Sequence, residues 1–302
     1  MARKIIDMRS RPAFLHDFYG ATLGSQGFET AKWLNRRLGS KDDAHFIRSL
    51  DVESFVAEIH EAGITAAVVV GRDTPNLTVS NDKVFEVTRF HPALLGIASV
   101  DPQKPDALQE LERAIRQLGL LGVNIEPGFG VPPLQADDPL LYPVYEACAA
   151  FGVPVFLMSG PTTPDMDYAR PEAVGRVARQ FPHLPIVCYH GFYPYVNEII
   201  GVAFRYENVH LVPDMYIFMP GGHLYVEAAN GFLRDQLLFG TSYPFRAMRQ
   251  TVDDFMQLGF NESVLDHVLF NNAKRLLGVD DYAPVIPAGR PEPSHRDVNR
   301  LV

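Results

Sequence analysis

A small group of titratable residues has the types and spacing needed for acid–base and anion chemistry. His190 is the strongest candidate for proton transfer, because an imidazole titrates at about pH 6.5 and the glycine after it leaves room for a ligand. Glu126 and Asp214 are its candidate acid or base partners. Arg9 and Arg11 are two residues apart, so on an extended segment both guanidinium groups point the same way and could bind one carboxylate or phosphate. Each of the five also has a structural interpretation, as a hydrogen-bonded core histidine or as a member of an ion pair.

The elements that must position these residues are short apolar runs, which predict eight strands. Because the runs show no alternation of apolar and polar residues, they are typical of parallel strands buried on both faces. The runs cover 4–8, 64–70, 95–100, 122–125, 153–157, 185–189, 210–212 and 237–239. Segments with helical spacing follow them at 52–62, 81–90, 105–118, 138–150, 171–181, 195–206, 225–232 and 262–277. Eight such units predict an α/β fold, a single-domain (β/α)8 TIM barrel.

Three kinds of segment complete the predicted organisation. Asp51, Asn81 and Asp138 are placed to cap helix N-termini. Residues 12–50 form an insertion after the first strand, with a short helix at 30–38, and we expect it to lie over one mouth of the barrel. Residues 279–302 form a proline-rich tail, predicted to be disordered or to wrap a neighbouring subunit. The predicted division is therefore 1–278 for the barrel and 279–302 for the tail.

In a barrel of this kind the reactive groups stand at the carboxyl ends of the strands. Polar residues occupy that position after the predicted strands, among them Arg9, Arg11, Arg72, Glu126, His190, Asp214 and Ser242. Tyr193 belongs to an aromatic cluster just after His190 that could line a pocket for a planar substrate, although packing is the commoner role of such rings. We predict His190, Glu126 and Asp214 as catalytic residues. The predicted substrate-binding residues are Arg9, Arg11, Arg72, Ser242 and Tyr193.

Composition restricts the partners and the classes of function. The chain has 302 residues and a formal net charge of -9, which argues against general attraction to nucleic acid or anionic membranes. Cys148 and Cys188 lack metal-ligand spacing, and neither a signal peptide nor a membrane span is predicted, so we expect a cytoplasmic location. The motifs GxGxxG, GxxxxGK[ST] and GxSxG are absent, so no motif supports a dinucleotide, P-loop or α/β-hydrolase function.

Several phrases of the sequence carry a family resemblance. They are 5–7 (IID), 122–125 (GVNI), 139–156 (PLLYPVYEACAAFGVPVF), 181–191 (FPHLPIVCYHG), 239–244 (FGTSYP) and 272–278 (NAKRLLG). Together they resemble the amidohydrolase-related family, the metal-dependent TIM-barrel hydrolases and decarboxylases that include aminocarboxymuconate semialdehyde decarboxylase and resorcylate decarboxylases. The resemblance implies a TIM barrel, a possible homo-oligomer, and hydrolysis or decarboxylation of a small carboxylated compound.

The same resemblance implies a metal site whose ligands are mostly replaced in this sequence. The family typically uses Asp-x-His-x-His in strand one, histidines after strands five and six, and an aspartate after strand eight. The matching positions here hold Arg9, Arg11, Met158, His190 and Ser242. Guanidinium groups have no lone pair to give and repel a dication, so we predict no metal of the family type and no other cofactor.

Two functions remain open on this sequence. The first is an enzyme that acts on a small anionic substrate without the usual metal, with His190 as acid or base and with Arg9 and Arg11 binding the anion. The second is a catalytically inactive barrel that serves as a small-anion binding or assembly protein. The number of titratable groups at the predicted barrel mouth favours the enzyme.

Overall fold

The computed structural model describes residues 3–279, and their strands form a parallel sheet that curves into a barrel. The strands are β1 (Ile6–Ser10), β2 (Ala66–Val70), β3 (Arg72–Thr74), β4 (Leu77–Val79), β5 (Leu94–Ser99), β6 (Val123–Ile125), β7 (Val155–Leu157), β8 (Ile186–Tyr189) and β9 (Val209–Val212). Seven of them pair in the order β1-β2-β5-β6-β7-β8-β9, and β3 and β4 form a separate antiparallel hairpin. The predicted tail from residue 280 onward lies outside the described residues.

The segment 236–243 closes the barrel between β9 and β1. Leu238 N donates to Leu211 O at 2.9 Å on one side, and Met8 N donates to Phe239 O at 3.0 Å on the other. The predicted eighth strand is therefore present as a hydrogen-bonded segment with isolated bridges to both edges of the sheet. The prediction of a (β/α)8 TIM barrel with an insertion after the first strand is confirmed.

Helices surround the barrel close to the predicted positions. They are α1 (Gln26–Arg37), α2 (Ala44–Arg48), α3 (Val52–Glu61), α4 (Asn81–Thr88), α5 (Ala107–Arg116), α6 (Tyr142–Phe151), α7 (Pro171–Gln180), α8 (Val196–Arg205), α9 (His223–Asn230), α10 (Met248–Phe255), α11 (Glu262–Asp266) and α12 (Asn272–Leu277). The sequence did not predict α2, which is short, or α10, whose sequence MRQTVDDF is mostly polar. Within the described residues, no helix is long and apolar enough to cross a membrane.

The helix caps agree with the sequence except at one position. Asp51 Oδ1 accepts from the backbone N–H of Ser54 at 2.7 Å and so caps α3. The cap of α4 is Ser80 rather than Asn81, as its hydroxyl accepts from Lys83 N at 3.2 Å. The prediction that Asn81 is the cap was therefore wrong by one residue. Its amide is buried and instead bonds the backbone at the end of β5.

The barrel interior is filled by apolar and aromatic side chains. Tyr189 packs against Phe156 with ring centroids 5.1 Å apart, and its hydroxyl donates to Met8 O at 2.9 Å. Both rings are fully buried. This interior layer closes the barrel below the carboxyl ends of the strands, so any ligand must bind above it.

A buried carboxyl group ties the first strand to the closing segment. Asp7 is fully buried, and its Oδ1 accepts hydrogen bonds from Arg9 N at 3.0 Å and from Thr241 N at 2.8 Å. Its Oδ2 lies 2.5 Å from Thr241 Oγ1. Burial raises the pKa of Asp7 to about 7, although these hydrogen bonds oppose the shift. In its protonated form the carboxyl can donate to Thr241 Oγ1 without losing the two backbone bonds.

We expect Asp7→Asn to preserve this junction and Asp7→Ala to break it. The asparagine carbonyl can accept both backbone hydrogen bonds while its amide donates to Thr241 Oγ1. Alanine leaves two buried N–H groups unpaired, which costs about 2 to 4 kcal/mol of the free energy of unfolding. The pKa of Asp7 is above its ordinary 3.8, so its proton stabilises the folded state, and that contribution is lost as pH rises towards about 7.

Urea unfolding of the wild type and both variants at about pH 5 and about pH 8 measures these differences. The stability of Asp7→Asn relative to the wild type should increase between the two pH values, because asparagine has no proton to lose. An alanine variant as stable as the asparagine variant at the lower pH would contradict this account of the junction.

Candidate active site

A cavity of about 310 Å³ opens at the carboxyl end of the barrel. Its wall consists of residues at or just after the carboxyl ends of barrel strands, and its cover comes from the insertion and from the β3–β4 hairpin. The wall includes Arg9, Arg11, Arg72, Glu126, Met158 and His190. The cover includes Phe18, Tyr19, Trp33, Leu34 and Leu77. A cavity of this size suits a small molecule.

His190 and Asp214 form a buried pair at the wall of this cavity. His190 Nδ1 lies 2.8 Å from Asp214 Oδ2 and 3.0 Å from Oδ1, and the residues are 4% and 1% exposed. The carboxylate is an acceptor, so it favours the tautomer with the proton on Nδ1 and the lone pair on Nε2. Burial lowers the pKa of His190; Asp214 opposes the shift, and Arg9 and Arg11 add to it. Near neutral pH the imidazole is therefore a neutral base.

The backbone around this pair is strained. His190, Phe192, Asp214 and Ser242 have φ angles of 58°, 57°, 44° and 58°, which place non-glycine residues in the left-handed region. Each such conformation costs on the order of 1 to 3 kcal/mol and persists where the surrounding structure holds it, most often at functional sites. In these conformations His190, after β8, and Asp214, after β9, are in contact. No sequence pattern predicts the positive φ angles.

Glu126 is the counter-ion of two buried arginines. Its Oε1 lies 2.6 Å from Arg11 Nη2, and its Oε2 lies 2.9 Å from Arg72 Nη2. Burial alone would raise the pKa of Glu126, but the charges of Arg72 and Arg11 outweigh it and lower the pKa to about 2. The carboxylate therefore stays ionised and has no proton to give near neutral pH. The prediction of Glu126 as an acid or base stays untested, and this geometry favours a positioning role.

Arg9 has no such counter-ion. It is 3% exposed, yet within residues 3–279 no carboxylate oxygen lies within 4.0 Å of its guanidinium nitrogens. Its Nη2 lies 3.7 Å from Met158 Sδ, its Nε has no partner, and the group stacks 5.1 Å from the centre of the Tyr189 ring. Burial lowers the pKa of Arg9 to about 10, so the group is still a cation near neutral pH. A buried cation without a partner is costly unless an anion binds to it.

Two predicted substrate contacts do not reach the cavity. Ser242 is buried, its N–H donates to Arg9 O at 2.9 Å, and its hydroxyl has no partner. Tyr193 stacks on Tyr216 with centroids 5.0 Å apart, and Tyr216 in turn meets the His190 ring edge to face at 5.1 Å. Neither residue is among those that line the cavity. Their predicted role as substrate-binding residues has no support from this geometry.

The sequence analysis missed the aromatic cover. Phe18, Tyr19, Trp33, Phe129 and Phe245 all line the cavity. Three of these rings come from the insertion, where their density beside glycines was the available signal. Five rings around one cavity offer flat apolar surface to a planar ligand.

The residues of the site do not fit a divalent metal. Over the part of the chain that the structure describes, no group of three or more His, Cys, Asp and Glu side chains could hold a metal ion. The imidazole of His190 already engages Asp214 through Nδ1. The guanidinium groups of Arg9 and Arg11 have no lone pair for a cation. The positively charged wall suits an anion instead.

We expect Glu126→Gln to destabilise the protein strongly. A neutral amide leaves Arg11 and Arg72 buried without a counter-charge, which costs about 3 to 5 kcal/mol of the free energy of unfolding. Glu112 is a matched control, because it is 56% exposed and pairs with Arg116 at the surface. Glu112→Gln should cost about 0.5 kcal/mol or less in the same denaturant titration. Equal losses in the two variants would show that the buried arginines do not depend on Glu126.

Comparison with known proteins gives this site a family context. The family profile described as Amidohydrolase matches residues 32–279. The chain is also 28% identical over 240 residues to 2-amino-3-carboxymuconate-6-semialdehyde decarboxylase of Dictyostelium discoideum. That match covers 66% of this chain and 66% of the relative, so it spans slightly less than two thirds of the relative's own length.

Solved structures share the barrel. An uncharacterised TIM-barrel protein of Bordetella bronchiseptica is 36% identical with a TM-score of 0.84, over 91% of this chain and 98% of that chain. The 2,6-dihydroxybenzoate decarboxylase from Rhizobium has a TM-score of 0.65 at 17% identity, over 92% of this chain and 100% of that chain, which shows the fold alone. The matched residues include every barrel strand after β1 and the wall residues Arg72, Glu126, Met158 and His190. This chain therefore belongs to the amidohydrolase family.

Proposed function

We propose that this protein is an amidohydrolase-family hydrolase or carboxy-lyase that acts on a small carboxylated ring compound without a divalent metal. The observation that carries the proposal is the buried guanidinium of Arg9, which has no carboxylate within ion-pair distance among the described residues, in the same cavity as His190 of the His190–Asp214 pair. The first group can bind a substrate carboxylate, and the second can move a proton beside it. The decarboxylases among the relatives named above support a carboxylated substrate.

In this proposal His190 Nε2 is the proton-transfer atom and Asp214 stabilises the imidazolium that forms. In hydrolysis, Nε2 takes a proton from water, and the resulting hydroxide adds to the scissile carbonyl carbon. The bond to the leaving oxygen then breaks, and that oxygen takes the proton back. In a carboxy-lyase reaction the imidazole first takes a proton from water. The imidazolium then protonates the ring carbon that bears the carboxylate, the electron pair of the bond to the carboxyl carbon stays with the ring, and CO2 leaves while His190 becomes neutral again.

Arg9 and Arg11 provide positive charge near the reacting atoms in both versions. Arg9 is the free donor, while Arg11 is held by Glu126 and by the backbone carbonyls of Val70 and Gly71, at 3.1 and 2.9 Å. These fixed charges need no rearrangement when negative charge develops on the substrate. Homo-oligomeric assembly and a cytoplasmic location stay predictions from the sequence.

Proton transfer by His190 predicts both a loss of activity and a pH dependence. With a panel of lactones, esters and carboxylic acids of ring compounds, His190→Asn and Asp214→Asn should each lower kcat by about 100-fold or more. The pKa of His190 lies below its ordinary 6.5, so for hydrolysis, where the base form works, the acid limb of kcat/KM should lie below pH 6.5. For a carboxy-lyase reaction, where the imidazolium is the acid, the same group should instead give a fall in kcat/KM as pH rises through that range.

Proton release and CO2 release, followed separately, distinguish hydrolysis from decarboxylation in this assay. His183→Asn is the matched control, since His183 is exposed at the surface and should leave the rates unchanged. Full activity in the His190 variant would contradict the proposed mechanism. Binding of the panel compounds without turnover by the wild type would favour the alternative of a small-anion binding protein.

We expect the active protein to contain less than about 0.1 divalent metal ion per chain when it is purified without a histidine tag or chelators. The physical reason is the replacement of ligand groups by guanidinium groups in the wall of the cavity. Elemental analysis measures the metal, and activity before and after treatment with a chelator gives the second readout. About one zinc or manganese ion per chain, with activity lost on chelation, would overturn the metal-free proposal.

A further inference from the structure

The loop after β8 begins with three consecutive residues in the left-handed region. His190, Gly191 and Phe192 have φ angles of 58°, 56° and 57°. Residues with a Cβ atom normally adopt this conformation singly, so a run of them persists only where contacts hold it. His190 is the first residue of this turn, so a change in the turn moves its imidazole relative to Asp214.

One carbonyl group of the turn lacks its usual donor. In a tight turn of this kind, a carbonyl accepts from the N–H group three residues later, as His190 O does from Tyr193 N at 3.0 Å. The same bond to Gly191 O would need an N–H group at position 194, but Pro194 has none. Gly191 is buried, so its carbonyl needs a donor from elsewhere in the protein.

Tyr225 on α9 supplies that donor. Its hydroxyl donates to Gly191 O at 2.9 Å, and its side chain is fully buried. Burial and the nearby charge of Asp214 raise the pKa of Tyr225 above its ordinary 10, so the hydroxyl keeps its proton. Because α9 follows the loop that carries Asp214, this hydrogen bond joins the same two loops as the His190–Asp214 pair.

Gly191 allows the two loops to approach closely. A Cβ atom at this position would lie 2.7 Å from Tyr225 Oη and 3.1 Å from Pro213 Cα, which is closer than ordinary van der Waals contact. Pro213 directly precedes Asp214 in the chain. The lack of a side chain at position 191 therefore sets how near the loop after β8 lies to the loop after β9.

We propose that Tyr225 is a positioning residue of this site, because its hydroxyl replaces the donor that Pro194 lacks and so holds the turn that keeps His190 Nδ1 against Asp214. This inference rests on the proposed function, in which the pair transfers a proton. Tyr225 is not among the residues that line the cavity, so it acts through His190 rather than on a ligand.

The contact between His190 and Asp214 can be measured by NMR without a substrate. In protein with isotope-labelled histidine, the Nδ1–H signal of His190 is assigned by its loss in His190→Asn, and its exchange with water is then followed. Tyr225→Phe removes the donor and keeps the ring. We expect exchange to be about tenfold or more faster in this variant, because an unpaired buried carbonyl favours opening of the turn.

Tyr145→Phe is the matched control for this variant. Tyr145 is also fully buried, and its hydroxyl donates to Ala136 O at 2.5 Å, a carbonyl outside the two loops. Both substitutions thus remove one buried hydrogen bond to a backbone carbonyl. Tyr145→Phe should change the exchange of the His190 signal by less than about twofold.

A pair of glycine variants tests the same contact from the other side. Gly191→Ala brings a methyl group against Tyr225 and Pro213, whereas Gly152→Ala adds one where no such neighbour lies within 4 Å. The two glycines have similar φ angles, 56° and 67°, so both variants carry similar backbone strain. We expect about tenfold faster exchange at His190 in Gly191→Ala and no change in Gly152→Ala.

Activity gives a second readout of the role of Tyr225. With any panel compound that the wild type turns over, Tyr225→Phe should lower kcat by about tenfold and leave KM unchanged. The reason is that the substitution moves the proton-transfer group without removing a cavity-lining side chain. Tyr145→Phe should leave both constants unchanged.

Three results would overturn the inference. The first is a wild type without an exchange-protected Nδ1–H signal from His190, and the second is exchange in Tyr225→Phe within about threefold of the wild type. The third is equal acceleration in Tyr225→Phe and Tyr145→Phe, which would report a general loss of stability. The second and third leave the proposed reaction intact. Conversely, faster exchange in Tyr225→Phe alone, in a protein that turns over no substrate, would retain the link from Tyr225 to His190 and refute the proposed reaction.

Discussion

The pairing of Glu126 with two buried arginines is the interaction on which the mouth of this barrel depends. One carboxylate holds Arg11 at 2.6 Å and Arg72 at 2.9 Å, and these groups come from three different strand ends. Without it, three guanidinium groups would face one another in a region of low dielectric. With it, the wall is stable but still positively charged. A chain with a net charge of -9 thus has a cavity lined by three guanidinium groups and one carboxylate.

The cover strengthens this electrostatic field. The insertion after β1 and the β3–β4 hairpin bring aromatic and aliphatic side chains over the arginines, including Phe18 at 5.7 Å from the Arg72 guanidinium. Apolar groups exclude water, so the charge of Arg9 is screened less here than at an exposed surface. The same rings offer flat apolar surface inside the cavity. The charged side chains of this site therefore come from the ends of barrel strands, whereas its apolar cover comes from the insertion and the hairpin.

This chain has the barrel of the family. Of the histidines that the family resemblance implies as metal ligands, it has His190, and the other implied histidine positions hold different residue types. Arg9 and Arg11 stand where the resemblance placed histidines, and Met158 lies 3.7 Å from Arg9 Nη2 where another was implied. Guanidinium groups carry positive charge at this mouth of the barrel. His190 keeps a carboxylate partner in Asp214, which a proton-transfer group needs and a packing residue does not.

The sequence by itself determined the elements and the order of the strand ends. Uninterrupted apolar runs predict buried parallel strands, and His190, Asp214 and Arg9 were recognised because catalytic positions follow such strands. These signals are local, so they are readable from neighbouring residues. Only the tertiary structure decided which charges pair, since Arg11 and Glu126 are 115 positions apart. It also left Arg9 without a counter-ion among the described residues and kept Ser242 and Tyr193 out of the cavity lining, because backbone direction and charge pairing depend on contacts between distant segments.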